Sequence, residues 1–164
     1  MQRMRNCLCG LLLLFVQFGC YALDTQKTAR LQVALVNTAH VLYEWPVSPG
    51  TEFYLDYIHS SAKTPVQDIF TISEQGGIIL IEENFSWFGA GLEAGTSDAA
   101  RVIYDPAQKK IRVLQHRHLA RFLLRIGRVA QQRMTCNGKS ISLNSLAKAG
   151  ESVHIRVVPT VVLP

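Results

Sequence analysis

Between residues 31 and 158 the apolar side chains recur mostly at every second position, in short runs broken by Gly, Pro, Asn and Ser. A period of two puts successive side chains on opposite faces of an extended chain, so the pattern predicts strands rather than helices. The expected strands are 31–36, 41–45, 53–60, 66–73, 78–88, 101–104, 111–115, 122–126, 129–136, 140–143 and 153–158, punctuated by Pro46, Pro49-Gly50, Gly76-Gly77, Asp105-Pro106, Gly127, Asn137-Gly138 and Gly150. The fold class that follows is all-β: a single-domain sandwich or partly open barrel, mostly antiparallel, with at most one or two short helices. Asn137-Gly138 is the strongest hairpin signal, because both residues tolerate the positive φ of a tight, twisted turn.

Two segments depart from the pattern. Residues 143–149 read as a short helix ended by Gly150. In 118–128, Leu119, Phe122, Leu123 and Ile126 fall at helical spacing with Arg117, Arg121, Arg125 and Arg128 roughly opposite, which describes a basic amphipathic helix suited to a lipid surface. Gly127 and the alternating neighbours favour a strand, and strand is the assignment adopted, with the helix as its alternative.

Residues 53–70, FYLDYIHSSAKTPVQDIF, carry the most informative chemistry. A two-residue turn at Ala62-Lys63 would set Phe53 opposite Ile72, Leu55 opposite Phe70, Tyr57 opposite Asp68 and His59 opposite Val66, all on one face. That face is apolar except for Tyr57, His59 and Asp68. A buried carboxylate needs a partner, so either His59 or the Tyr57 hydroxyl should satisfy Asp68. The bland reading is that Asp68 and His59 pin the turn between them. The functional reading is a small pocket in which His59, Ser60, Lys63 and Thr64 offer donors to an anion. The loop after 78–88, SWFGAGLEAG, could add backbone amides at Gly89, Ala90 and Gly91. Glu82 and Glu83 point to opposite faces of their strand, so one of them should face inward. Ser61, His59 and Asp68 form the alternative, a hydrolase-like set, although no nucleophile elbow accompanies them. A histidine with carboxylates at these spacings matches no compact metal signature, so neither a metal nor another cofactor is expected. His116 and His118 read as solvated.

Charge and cysteine usage add the setting. Residues 24–105 hold eleven acids and four Lys or Arg, whereas 106–150 hold ten Lys or Arg and no acid. Such asymmetry either offers a cationic face to a polyanion, with peripheral contact to anionic lipid as the relevant case, or cancels between neighbouring strands. Residues 1–22 have a basic start, an apolar core of about a dozen residues and small residues at the end, as secretory signals do. Cleavage after Ala22 is expected, with lipidation at Cys20 as the rival, leaving 23–164 as one exported domain in the periplasm or envelope. Export argues against nucleic acid as a partner. Cys7, Cys9 and Cys20 lie in the signal, so Cys136 remains alone and is expected to be a small core residue.

HSSAKTPV, the acid at Asp68, IILIEE and FGAGL resemble the motifs of the bacterial family known as domain of unknown function 1850, over about 46–157. The family's first motif resembles HSVEKTPVEE: His59, Ser60, Lys63, Thr64, Pro65, Val66 and the carboxylate at Asp68 match, while Ser61, Ala62 and Gln67 depart. Glu82 and Phe88 to Leu92 match the second motif. The resemblance implies a small exported protein, of a family with no established activity, whose genes often accompany tripartite uptake systems of the TRAP type with a TAXI-class binding protein; a non-enzymatic accessory role is the reading adopted. Its expected partners are those transporter components or a small organic anion.

Overall fold

The computed structural model describes residues 28–86 and 101–160. Its strands are β1 (Ala29–Leu35), β2 (Val41–Val47), β3 (Glu52–Ile58), β4 (Pro65–Ile72), β5 (Ile78–Phe85), β6 (Arg101–Asp105), β7 (Lys110–Leu119), β8 (Phe122–Arg125), β9 (Arg133–Cys136), β10 (Lys139–Ser142) and β11 (Ser152–Pro159), with one short helix, α1 (Leu143–Leu146). Each predicted strand is present. Segment 118–128 divides between the end of β7 and β8 and forms no helix: Phe122, Leu124 and Ile126 turn inward while Arg121, Leu123 and Arg125 are exposed, a period of two.

Two antiparallel sheets result, a four-stranded one in the order β2-β1-β11-β8 and a seven-stranded one in the order β10-β9-β3-β4-β5-β7-β6. They form an open sandwich; the barrel alternative is not realised, because neither sheet closes on itself. Alternation supplies the core directly. Leu31, Val33, Val153 and Ile155 from one sheet meet Phe53, Leu55, Phe70, Ile72, Leu80 and Met134 from the other, all at most 3% exposed. Phe70 stacks on Phe53 at 4.9 Å and touches Phe122 of the facing sheet at the same centroid distance. Cys136 is 1% exposed and burial pushes its thiol up to about 11, as expected of a core residue.

One margin of the sandwich is laced. Trp45 Nε1 on β2 donates to the Lys139 carbonyl on β10 at 3.3 Å, and Asn137 Nδ2 donates to the Pro46 carbonyl at 2.7 Å. At the other margin β7 and β6 extend the larger sheet, and below them a second buried cluster forms from Val66, Phe85, Ile111 and Val113.

Two irregularities place the candidate residues. In β5, Leu80 pairs with Phe70 but Glu82 pairs with Ile69, so Ile81 is an extra residue, a bulge. Before it Ile78 and Leu80 face the core; after it Glu83 and Phe85 do, and Glu82 and Asn84 turn to the outer face. The second irregularity is the β3–β4 connection, described below. By contrast the Asn137-Gly138 turn is regular, with φ of 49° and 71° and Cys136 paired to Lys139.

Nothing lies within 4 Å of a Cβ placed on Gly138. Gly138→Ala should therefore cost only the left-handed backbone strain, about 1 to 2 kcal/mol, read as a lower denaturant midpoint with an unchanged slope. A variant as stable as the parent would show that the turn is not held in this form.

Candidate functional site

The β3–β4 turn is longer than the pattern predicts. Tyr57 pairs with Val66, Leu55 with Asp68 and Phe53 with Phe70, so the reversal is centred between Ser61 and Ala62 instead of between Ala62 and Lys63. His59 N donates to the Thr64 carbonyl and Lys63 N to the His59 carbonyl, each at 2.9 Å, closing a loop over 60–63 in which Lys63 alone takes a positive φ, 57°. A two-residue turn of the favoured hairpin type would need positive φ at both central residues, which Ala62 resists. His59 fills the gap: its Nδ1 accepts from the Ala62 amide at 3.2 Å and lies 3.1 Å from Ser61 Oγ. The imidazole thus does at this tip what an Asx side chain does elsewhere, replacing a backbone acceptor.

The shift of register corrects the expected neighbours. Asp68 stands opposite Leu55, with about 13 Å of strand between it and Thr64, the residue that His59 faces. His59 and Asp68 are therefore not diagonal partners. The set Ser61, His59 and Asp68 is not assembled either, because Ser61 and the Ala62 amide both address Nδ1 while Asp68 lies far along β4. Ser60 and Lys63 are exposed at the tip, and Thr64 Oγ1 is buried with no hydrogen-bond partner. Gly89, Ala90 and Gly91 lie outside the described residues.

Asp68 does face inward, and its partner is the second candidate, Tyr57. The Tyr57 hydroxyl bonds the Asp68 carboxylate, leaving Oδ1 buried and unpartnered. The direct cross-strand neighbour is Glu83, brought inward by the Ile81 bulge, and Gln115 Nε2 donates to Glu83 Oε2. Burial, then the Glu83 charge, push the Asp68 carboxyl up to about 7, against the opposing influence of the Arg117 guanidinium; Asp56 adds to the rise and the Tyr57 bond reduces it. Burial and the Asp68 and Glu83 carboxylates raise the Tyr57 hydroxyl strongly. The result is a polar seam between the two apolar clusters of the larger sheet.

The outer face of that sheet carries a different arrangement. One cross-strand row runs Arg133, Asp56, Gln67, Asn84 and Arg112. Gln67 Nε2 donates to Asp56 Oδ1 at 2.8 Å, and Arg112 clamps Glu82 with bonds of 2.8 and 2.7 Å that hold the Glu82 carboxyl below its ordinary range, helped by nearby Asn84. Asn84 itself is 3% exposed, and neither atom of its carboxamide makes a hydrogen bond of good geometry. The row reaches a groove of about 720 Å³ at the strand ends, whose wall includes Asp56, Gln67, Asn84, Lys110, Arg128 and Arg133 together with Tyr57, Val66 and Phe85 from the inner face. Lys110, Arg128 and Arg133 form no ion pair among the described residues, so three cations face one carboxylate.

Of the residues expected to act together, His59, Ser60, Lys63 and Thr64 share the turn, Asp68 lies on the inner face and Glu82 on the outer. The groove residues were not singled out by pattern. Asn84 carried the one available signal, a carboxamide in the strand IILIEENF where strand propensity disfavours it. Among the described residues no helix is long and apolar enough to cross a membrane, and no cluster of three or more His, Cys, Asp or Glu side chains could hold a metal ion.

The model of the family described as Domain of unknown function (DUF1850) matches residues 53–143, more than half of the chain and all of the seven-stranded sheet. No curated protein and no solved structure matches.

The Asp68 carboxyl gives a pH-dependent outcome. A carboxyl raised from 3.8 to about 7 in the fold stabilises the folded state most below pH 4, and that contribution is lost as pH rises to and through 7. Asp68→Asn, neutral throughout, should be more stable than the parent above pH 7 by a few kcal/mol at most, with the difference vanishing near pH 4. Thermal midpoints across that range provide the check, and parallel profiles for parent and variant would show Asp68 to be solvated.

Proposed function

The chain belongs to the domain of unknown function 1850 family, and we propose that it is an exported, non-enzymatic accessory to solute uptake of the TRAP-TAXI kind that binds a small organic anion in the groove at the β3–β4 turn end of the larger sheet. The transporter setting and the export rest on the family resemblance. The anion rests on the groove: Lys110, Arg128 and Arg133 converge on a concave surface without carboxylate partners among the described residues, beside a buried carboxamide with unused hydrogen-bonding capacity. Clefts lined by one sign of charge with low-dielectric walls concentrate the opposite charge, and a few convergent polar groups in a concavity are how small-molecule sites gain orientation. Glu82 is not a rival attraction for a cation, since Arg112 already neutralises it through two bonds.

This site differs from the turn first suspected, although it adjoins it. Ile58 and Pro65, the residues that flank the β3–β4 loop, both line the groove. Lys63 and Ser60 therefore stand just beyond one end of the groove, while His59 holds the loop in shape.

A panel of organic acids at fixed pH and ionic strength should raise the thermal midpoint. At roughly a hundred times Kd the stabilisation would be about 3 kcal/mol. The triple variant Lys110→Gln, Arg128→Gln, Arg133→Gln should lose the response while remaining folded, because Arg128 and Arg133 are exposed and Lys110 is only half-buried. If no acid shifts the midpoint, or if the triple variant responds as the parent does, the groove is not an anion site.

A further inference from the structure

Asn84 imposes a stricter requirement than charge. It stands in the outer-face row between Gln67 on β4 and Arg112 on β7. Both neighbours are already committed, Gln67 to Asp56 at 2.8 Å and Arg112 to Glu82 at 2.8 and 2.7 Å. The carboxamide lies near Glu82, yet neither Nδ2 nor Oδ1 makes a hydrogen bond of good geometry, although the residue is 3% exposed and lines the groove. A buried amide in this condition is costly, and a folded chain retains one where something outside the chain completes it.

What completes it follows from the two atoms together with the cations around them. A plain carboxylate can accept from Nδ2, but it also faces Oδ1 with a second anionic oxygen, and the two acceptors repel. A carboxylate with a hydroxyl or ammonium on the adjacent carbon does better: one carboxylate oxygen accepts from Nδ2 while the neighbouring O–H or N–H donates to Oδ1. The charge of the same carboxylate is met by Lys110, Arg128 or Arg133. Building on the anion-binding reading above, we propose that the groove selects carboxylates that carry a hydrogen-bond donor on the adjacent carbon, 2-hydroxy and 2-amino acids, and that Asn84 is the residue that makes the selection.

Sites built around a hydrogen-bonding group reject analogues that lack it much more strongly than they reject a change of size, because the protein group is then left buried and unpaired. Asn84 should therefore discriminate between pairs of acids that differ only in that donor. It should add little to the affinity for the charge as such.

The matched pairs L-malate against succinate and L-lactate against propionate, titrated by calorimetry into the full exported chain, separate the two ideas. The hydroxy acid should bind at least about tenfold more tightly within each pair. Asn84→Leu, which replaces the unpaired amide with an apolar group of similar size, should fold at least as stably as the parent, keep weak binding of both members and lose the preference. Equal affinities within each pair in the parent, or a preference that survives Asn84→Leu, would overturn the selection by Asn84 while leaving the anion site intact. Absence of binding by all four acids would overturn both.

Discussion

The extra residue at Ile81 is the constraint on which the arrangement of polar groups depends. Side chains on a strand alternate without exception unless a residue is inserted, and an insertion in one strand alone changes its alternation against both neighbours. Because β4 and β7 keep their parity across the bulge, Glu83 is delivered to the side occupied by Asp68 and Asn84 to the side occupied by Gln67 and Arg112. Were Ile81 to alternate regularly instead of bulging, the faces would exchange: Glu82 and Asn84 would enter the interior, and Glu83 and Phe85 would reach solvent. The apolar cluster of Val66, Phe85, Ile111 and Val113 fixes the choice, since it forms only when Phe85 faces in. The inward acid pair is thus a consequence of burying Phe85, and the outward amide is the other half of the same step.

The two faces of one sheet consequently have different electrostatics. Inside, Asp68 and Glu83 are adjacent in a poorly solvated seam, and the lowest free energy there has the Asp68 carboxyl close to half-protonated around neutrality. Outside, the close pair of Glu82 with Arg112 removes one charge of each sign and leaves Lys110, Arg128 and Arg133 against the single carboxylate of Asp56. The uneven distribution of acids and bases along the sequence is therefore partly cancelled between β5 and β7, as neighbouring strands of opposite charge allow, and partly retained at the groove.

Much of the fold was legible because it depends on periods and turn chemistry that are local. Each strand from β1 to β11 announced itself by alternation, and Asn137-Gly138 by the two residues that accept positive φ. The candidate site was less legible, for reasons that can be assigned to particular residues. The β3–β4 register turned on a side-chain-to-backbone bond from His59, which lengthens the loop and moves every pair by one position on each strand. Because the change in each pairing is by two residues, parity survived, so the inward direction of Asp68 was readable although its neighbour was not. Whether Glu82 or Glu83 would face in could not be read, because a bulge has no signature in a run such as IILIEENF. The groove draws its wall from β3, β4, β5, β7 and β9, and no span of sequence contains such a surface.

The lacing of Trp45 to Lys139 and of Asn137 to Pro46 also has a bearing on how the molecule yields under stress. Those bonds fasten the outermost strand of the small sheet to the outermost strand of the large one, so that margin separates only when both bonds are lost. The far margin has no equivalent clasp among the described residues, and β6 is held by β7 alone. Local opening therefore costs least at β6, the edge strand beside the one that supplies Lys110 to the groove, and more at the Trp45 seam.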